Sequence, residues 1–313
     1  MSKTVISIKT LNKQYKTGVH ALKSVSFDIP QGDFFALLGP NGAGKSTTIG
    51  ILCGLVTKTS GTVSIDGANI DTHWSNAKMK LGIVPQEFNF NIFETCEQIV
   101  INQAGYYGVP RSVALPKTTE LFKQLGLTDK AKTQAGKLSG GLKRRLMIAR
   151  ALVHNPKILI LDEPTAGVDI SLRRTMWQFL KEKNRNGMTI ILTTHYLEEA
   201  EKLCKNIAIL NHGELITHTS MKKLLSQRNN ETLILDCQKL PQKIPHINTI
   251  TLNPIDTHTI EVNIPKTYPM TQLLSQLNTH DIQVNRIQNK TNRLEELFIC
   301  LTENQKQKEQ QCH

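Results

Sequence analysis

Nine residues constrain this chain more than any others: Gly39-Pro40-Asn41-Gly42-Ala43-Gly44-Lys45-Ser46-Thr47. They fit G-x-x-x-x-G-K-[ST], a loop that cradles phosphate groups. Its glycines let successive backbone N–H groups turn inward as an anion-binding nest. A helix beginning near Lys45 adds the positive end of its dipole. Lys45 then reaches the β- and γ-phosphates, and the Ser46 hydroxyl is placed to bind Mg²⁺. The flanks agree with this reading. Phe34-Phe35-Ala36-Leu37-Leu38 is a short apolar run that predicts a buried strand, and residues 46–55 predict a helix. Strand, glycine loop and helix in that order are the context the motif requires.

With 313 residues the chain has room for one large domain or two modest ones. At 39% hydrophobic residues it can bury a core. The net charge of +12 raises nucleic acid or an anionic membrane surface as partners. No arginine-rich tract or basic stretch with interleaved aromatics accompanies that charge, and aromatics are only 5%. The charge therefore reads as a solvated basic surface, with no specific nucleic-acid partner. The six cysteines are scattered and form no C-x-x-C pair, so neither a zinc site nor a disulfide framework is indicated. They fit a reducing cytosol. The longest apolar run, 49–56, falls well short of the roughly 20 residues that span a bilayer. No secretory leader pattern opens the chain. The expectation is a protein that does not cross a membrane by itself.

Taken in order, residues 5–8, 25–29, 34–38, 61–67 and 81–84 predict strands, with a turn at 30–33. Tyr15 falls between the first two. Taken alone it is an exposed turn tyrosine, although an aromatic there can stack on a base. From 94 to 153 the periodicity is helical, with breaks expected at Gly105, Gly108-Val109-Pro110, Gly126 and Gly136. This predicts a helical insertion within an α/β domain. Inside it, Leu138-Ser139-Gly140-Gly141-Leu142 precedes a helix with Leu142, Leu146, Ala149 and Val153 on one stripe. Ser139-Gly140-Gly141 alone is a cap plus a loop, but at a helix start it can also meet an anion. Lys143, Arg144 and Arg145 read as a solvated face.

Next, Ile158-Leu159-Ile160-Leu161 ends in Asp162-Glu163 and predicts a central parallel strand. Ligands of such sheets lie at the carboxyl ends of the strands. Asp162 is thereby delivered to Mg²⁺, and Glu163 to the water that attacks the γ-phosphate. A helix over 170–184 and a buried strand over 188–194 follow, with His195 at the strand's carboxyl end. Two short strands divided by His212-Gly213 and a helix over 221–226 come next. The polar stretch 227–230 reads as a linker. Beyond it, a small α+β segment has strands expected at 231–237, 247–253, 258–264 and 282–287, and helices at 270–279 and 292–302. No catalytic cluster is visible in it. Residues 303–313 are polar and are expected to be disordered.

The motifs together resemble the nucleotide-binding subunits of ATP-binding cassette (ABC) transporters. Residues 138–142 are similar to the family signature Leu-Ser-Gly-Gly-Gln, and Gln86 to its Q-loop glutamine. Asp162 and Glu163 resemble the Walker B aspartate and the catalytic glutamate. Asp169, within Ala166-Gly167-Val168-Asp169, resembles the D-loop, His195 the switch histidine, and Tyr15 the adenine-stacking aromatic. Lys45 and Ser139 are 94 residues apart, Ser139 and Asp162 are 23, and Asp162 and His195 are 33, all in the family's order. The likeness covers about residues 4–227. Two departures stand out. Leu142 replaces the usual signature glutamine, and Gly167-Val168-Asp169 replaces the commoner Ser-x-Leu-Asp. The second variant resembles the branch paired with ABC-2-type export permeases. So does the segment Asn292-Arg293-Leu294-Glu295-Glu296-Leu297-Phe298.

The resemblance implies a P-loop NTPase core of the RecA-like kind, with an antiparallel β subdomain and a helical subdomain at about 90–153. The cassette is expected over 1–227, an accessory α+β domain over 228–302, and a polar tail over 303–313. It implies ATP and Mg²⁺ as ligands, with Ser46, Gln86 and Asp162 near the metal. It also implies a head-to-tail homodimer in which one copy supplies Lys45, Ser46, Gln86, Asp162, Glu163 and His195, and the other Ser139 and Gly141. It implies, finally, a separate ABC-2-type integral membrane permease that holds this subunit at the cytoplasmic face of the inner membrane. The competing class is a soluble ABC ATPase acting on nucleic acid or ribosomes. Such proteins usually carry two cassettes or a long coiled coil, and this chain has one cassette and no sustained heptads. Replacing Lys45 by alanine removes the cation facing the phosphates, so Lys45→Ala is expected to abolish tight ATP binding, as measured by equilibrium titration with a fluorescent ATP analogue.

Overall fold

The apolar runs become the strands on which the rest is built. In the computed structural model, residues 3–226, 230–241, 244–247, 249–265, 267–289, 294–295, 297–299 and 301–302 are described. The chain divides into two units, Met1–Ser220 and Met221–His313. The division falls ahead of the helix expected at 221–226.

The first unit opens with β1 (Thr4–Gln14), β2 (His20–Pro30) and β3 (Phe34–Leu38), followed by α1 (Lys45–Leu52). Then come β4 (Ser60–Ile65), β5 (Ala68–Asn69), α2 (Trp74–Lys78) and β6 (Leu81–Val84). Three helices follow: α3 (Cys96–Tyr106), α4 (Arg111–Leu125) and α5 (Gly140–Leu152). The unit ends with β7 (Ile158–Asp162), α6 (Ile170–Arg185), β8 (Thr189–Thr193), α7 (Leu197–Leu203), β9 (Asn206–Asn211) and β10 (Glu214–Ser220).

One sheet has the order β10-β9-β3-β8-β7-β6 and is parallel from β9 to β6. Its middle strands β3 and β8 are buried at every position, as expected of parallel strands covered on both faces. A second, antiparallel sheet has the order β2-β1-β4-β5. One apolar core joins the two sheets. Val25, Phe27 and Ile29 of β2 share it with Phe35 and Leu37 of β3, Ile51 and Leu52 of α1, and Ile160 of β7. The Phe27 and Phe35 rings stack with centroids 5.6 Å apart. The glycine loop thus springs from the best-packed part of the unit.

The helical insertion is present, with α3, α4 and α5 packed on one another. Thr95 starts α3 with a capping box: Gln98 N–H donates to Thr95 Oγ1 at 3.3 Å, and Thr95 N–H donates to Gln98 Oε1 at 2.9 Å. Gly126, at φ 65°, ends α4 in the left-handed conformation. The break expected at Gly105 falls one residue later, where α3 ends at Tyr106 with Tyr107 as its C-cap.

The second unit contains α8 (Met221–Ser226), β11 (Asn230–Cys237), β12 (Thr251–Pro254), β13 (Thr259–Pro265), α9 (Met270–Thr279) and β14 (Val284–Asn289). Its antiparallel sheet has the order β12-β13-β11-β14. Leu233 and Leu235 of β11, Ile260 and Val262 of β13, and Leu273 and Leu277 of α9 form a core of their own. The strand expected at 247–253 is shorter and later: Ile247 bridges Ile250, and regular pairing begins at Thr251. Residues 227–229 of the expected linker, residues 292, 293, 296 and 300 of the last expected helix, and the tail 303–313 lie outside the described residues. Because the first unit has its own core, a protein ended at residue 227 is expected to unfold cooperatively and to keep ATP binding, as followed by circular dichroism and ATP titration.

Candidate nucleotide site

The parallel sheet presents the carboxyl ends of β3, β6, β7 and β8 along one edge. After β3 the backbone must make its tightest turn. A Cβ at Gly39 would lie 2.3 Å from the Leu210 carbonyl oxygen. One at Gly44, where φ is +103°, would lie 2.6 Å from the Ala21 carbonyl oxygen. The loop is therefore wedged between β2 and β9, and only glycine fits there. Lys45 opens α1 and is buried. Its ammonium donates to the Gly39 and Pro40 carbonyls at 2.7 and 3.0 Å. Burial pulls its pKa down, and the nearby carboxylates of Glu163 and Asp162 oppose that shift.

Asp162 is the last residue of β7. Its carboxylate accepts the Thr193 hydroxyl from the end of β8. Glu163 follows at φ +50°, a left-handed conformation that costs a side-chain-bearing residue about 1–3 kcal/mol. Its N–H donates to the Thr193 carbonyl at 3.0 Å. Its carboxylate has two partners: Gln86 Nε2 donates to Oε2 at 2.9 Å, and His195 Nε2 pairs with Oε1. The side chains of Gln86 and His195 thus converge on the Glu163 carboxylate. These residues line a cleft of about 760 Å³ together with Tyr15, Asn41, Gly42, Ala43, Gly44, Lys45, Ser46, Thr47 and Asp162. Gly39 and Pro40 support the cleft from behind through their contacts with Lys45. Tyr15 stands at its mouth. Its hydroxyl is 3.3 Å from Thr47 Oγ1, and Lys13 lies over its ring at 4.8 Å.

Ser139, Gly140, Gly141 and Asp169 are not among the lining residues of this cleft. They form a second cluster. Ser139 caps α5 and is exposed, accepting the Leu142 N–H at 3.4 Å. Asp169 caps α6, accepting the Leu172 N–H and the Ser171 hydroxyl, each at 2.8 Å. Those bonds hold its carboxyl below the usual range. The two helix starts touch, since a Cβ at Gly141 would lie 2.1 Å from Leu172 Cδ2.

The sequence reading is wrong about Arg144. Rather than lying on a solvated face, it is buried, and its Nη1 donates to the Pro85 and Gln86 carbonyls at 3.0 and 2.9 Å. Its guanidinium lies 5.0 Å from the Phe88 ring centroid. Arg145 is half-buried and donates to the Leu125 carbonyl at 3.0 Å. A helical-stripe signal existed for Arg144, since Arg144, Ile148 and Ala151 fall at i, i+4 and i+7 and are all buried. The arginine anchors the Gln86 loop to α5, the helix that Ser139 caps.

The donor set fits a magnesium nucleotide. Among the described residues no group of three or more His, Cys, Asp or Glu could hold a metal ion. An ion beside Ser46 and Asp162 would need phosphate and water oxygens, which is how Mg²⁺ is held at phosphate sites. Arg144→Met leaves two loop carbonyls without their buried donor. It is expected to cost about 1–3 kcal/mol of stability, measured by urea unfolding.

Residues 22–166 match the family described as ABC transporter. The linearmycin resistance ATP-binding protein of Bacillus subtilis is 36% identical over 292 residues, covering 90% of this chain and 93% of that protein. The Nod factor export ATP-binding protein I of Burkholderia orbicola is 36% identical over 225 residues, covering 72% of this chain and 74% of that protein. Among solved structures, a dimeric post-hydrolysis state of an ATP-binding cassette bound to ADP and Pi superposes with a TM-score of 0.63 at 30% identity. The match covers 69% of this chain and 98% of that one.

Proposed function

The chain belongs to the ABC transporter family as an ATP-binding subunit and an ATPase, and on that premise we propose that it powers export through a separate ABC-2-type membrane permease, working as a homodimer with two ATP molecules at its interface. The observation that carries the proposal is the split between the two clusters. Lys45, Ser46, Gln86, Asp162, Glu163 and His195 share one cleft, while Ser139 and the start of α5 lie exposed elsewhere. A second copy placed head to tail brings its Ser139, Gly140 and Gly141 to the γ-phosphate, where a helix N-terminus stabilises negative charge. Asp169, beside that loop, belongs to the same interface. The export relatives support the direction of transport, and the dimeric cassette bound to ADP and Pi supports the assembly.

On this reading the residues take the following roles. Tyr15 stacks on the adenine ring. Residues 39–47 wrap the phosphates, with Lys45 as the cation. Mg²⁺, held by Ser46 and Asp162 with Gln86 nearby, would neutralise charge on the β- and γ-phosphates. Glu163 accepts the proton of the attacking water as general base. Gln86 and His195 orient its carboxylate, one at each oxygen. No helix among the described residues is long and apolar enough to cross a membrane. On the proposed reading the subunit works at the cytoplasmic face, held there by its permease. The Gln86 loop, anchored by Arg144, is the element through which permease and nucleotide communicate.

Glu163→Gln keeps the shape of the side chain and removes its basicity. Phosphate release is expected to fall about 10²–10⁴-fold, the usual range for losing a general base. ATP binding is expected to persist, because Lys45, Ser46 and Asp162 remain. With a negative charge removed beside the γ-phosphate, the variant should elute as a dimer in ATP and as a monomer in ADP on size-exclusion chromatography. Adding Ser139→Arg should restore the monomer. Full turnover in Glu163→Gln would refute the assignment of the base.

A further inference from the structure

The first unit fully buries a carboxylate that the roles above do not use. Glu199, on α7, is fully buried. Its Oε1 accepts Trp177 Nε1 at 2.8 Å and the Thr165 hydroxyl at 3.2 Å. Its Oε2 accepts the Thr194 hydroxyl at 2.7 Å and the Thr165 hydroxyl at 3.1 Å. Burial pushes its carboxyl up, and the donors from Thr194, Trp177 and Thr165 oppose that shift while satisfying both oxygens.

The identity of those donors matters. Thr165 lies two residues after Glu163, in the segment that leads to Asp169. Thr194 immediately precedes His195, and its hydroxyl also accepts the Tyr196 N–H at 3.0 Å, so it braces the backbone on both sides of the histidine. Trp177 belongs to α6, the helix that Asp169 caps. A single carboxylate therefore fastens together the segment of the base, the segment of the histidine and the helix behind Asp169. A parallel brace runs through Arg173. Its Nη2 donates to the Val168 carbonyl at 3.5 Å, and its guanidinium lies 4.2 Å from the Tyr196 ring centroid. Glu163 sits in a left-handed backbone conformation, which persists only when its surroundings hold it there. The clasp at Thr165 and the Thr193 carbonyl supply that restraint from both sides.

We propose that Glu199 is a positioning residue for hydrolysis: through Thr165 and Thr194 it holds the Glu163 carboxylate and the His195 ring in register, so that the two loops move as one body. This rests on the reading of Glu163 as the base. Glu199 touches neither nucleotide nor Mg²⁺ in this scheme. It acts on turnover and leaves the phosphate-binding loop alone.

The test uses the full chain and steady-state ATP hydrolysis, with ATP KM and kcat measured separately. Thr165→Val and Thr194→Val remove the hydroxyls while keeping shape. Each is expected to lower kcat about tenfold, the worth of a hydrogen bond to a charged group, with KM changed less than about twofold. Thr165→Ser and Thr194→Ser restore the hydroxyl and are expected to return kcat to within about twofold. Because both threonines act through one carboxylate, the double valine variant should lose less than the product of the two single effects. Glu199→Gln preserves volume, so it decides the matter should a valine variant fail to fold, and its kcat is expected to fall with KM held. An unchanged kcat in Glu199→Gln or in folded valine variants overturns the proposal. So do serine variants as slow as the valine ones, or a KM that rises as kcat falls. Glu163→Gln in the same assay separates the two ideas. If it keeps wild-type turnover, the reading of the site is at fault; if it loses turnover while the Glu199 and threonine variants keep the wild-type kcat, only the clasp is wrong.

Discussion

The site depends on the parallel pairing of β7 with β8, which sets Asp162 opposite Thr193. Thr193 then serves both acidic residues at once. Its hydroxyl donates to the Asp162 carboxylate, and its carbonyl accepts the Glu163 N–H. A slip of one residue would bring Leu192 or Thr194 opposite Asp162 and point every side chain of the strand to the other face. The unbroken parallel pairing from Ile158 with Thr189 to Asp162 with Thr193 holds the register. The apolar runs that look least like chemistry therefore fix where the chemistry occurs.

What was legible in the sequence follows from the range of the interactions concerned. The glycine loop is local, so its residues, spacing and flanks announced it. The buried strands β3 and β6 carry an equally local signal, and their ends fell where the apolar runs end. Arg144 was misread because its partners, the carbonyls of Pro85 and Gln86, lie far away along the chain. A basic triplet after a glycine turn looks solvated until the fold brings a loop against it. Glu199 was passed over for the same reason. Within Glu198-Glu199-Ala200-Glu201 nothing local separates the buried carboxylate from its exposed or half-buried neighbours. Tyr15 carried no decisive signal of its own. The motifs around it implied a place beside the base, and the fold sets it among the residues that line the cleft with the glycine loop.

The groups that hold a nucleotide and those that act on it are mounted differently. Lys45, Ser46 and Thr47 stand on α1, which is anchored in the main core through Ile49, Ile51 and Leu52. The loop behind them is wedged against Ala21 and Leu210. Gln86, Glu163 and His195, by contrast, follow the ends of β6, β7 and β8. They meet one another by side-chain contact, and each is tied back to the body by a longer side chain: Arg144 for the Gln86 loop, Glu199 for the other two. Rigid backbone suits binding, where the phosphates must meet many N–H groups at once. In the proposed head-to-tail dimer, short loops fastened at defined points would suit a step that waits for the second copy.

Charge explains why the fastening is needed. Lys45 is a buried cation whose pKa burial pulls down, and the carboxylates of Asp162 and Glu163 are what favour its charged form. A triphosphate arriving in the cleft adds negative charge close to both carboxylates and repels them. Asp162 has the Thr193 hydroxyl to hold it at its strand end. Glu163 has no strand to hold its side chain and sits on a strained residue just beyond β7. Left to itself it would swing away from the phosphates and relieve its backbone at the same time. The Gln86 amide and the His195 ring hold its two oxygens, and the clasp at Thr165 and Thr194 holds the backbones of both loops. On the proposed reading of Glu163 as the base, the bonds from Gln86 and His195, with the Glu199 clasp behind them, would keep it within reach of the attacking water against that repulsion.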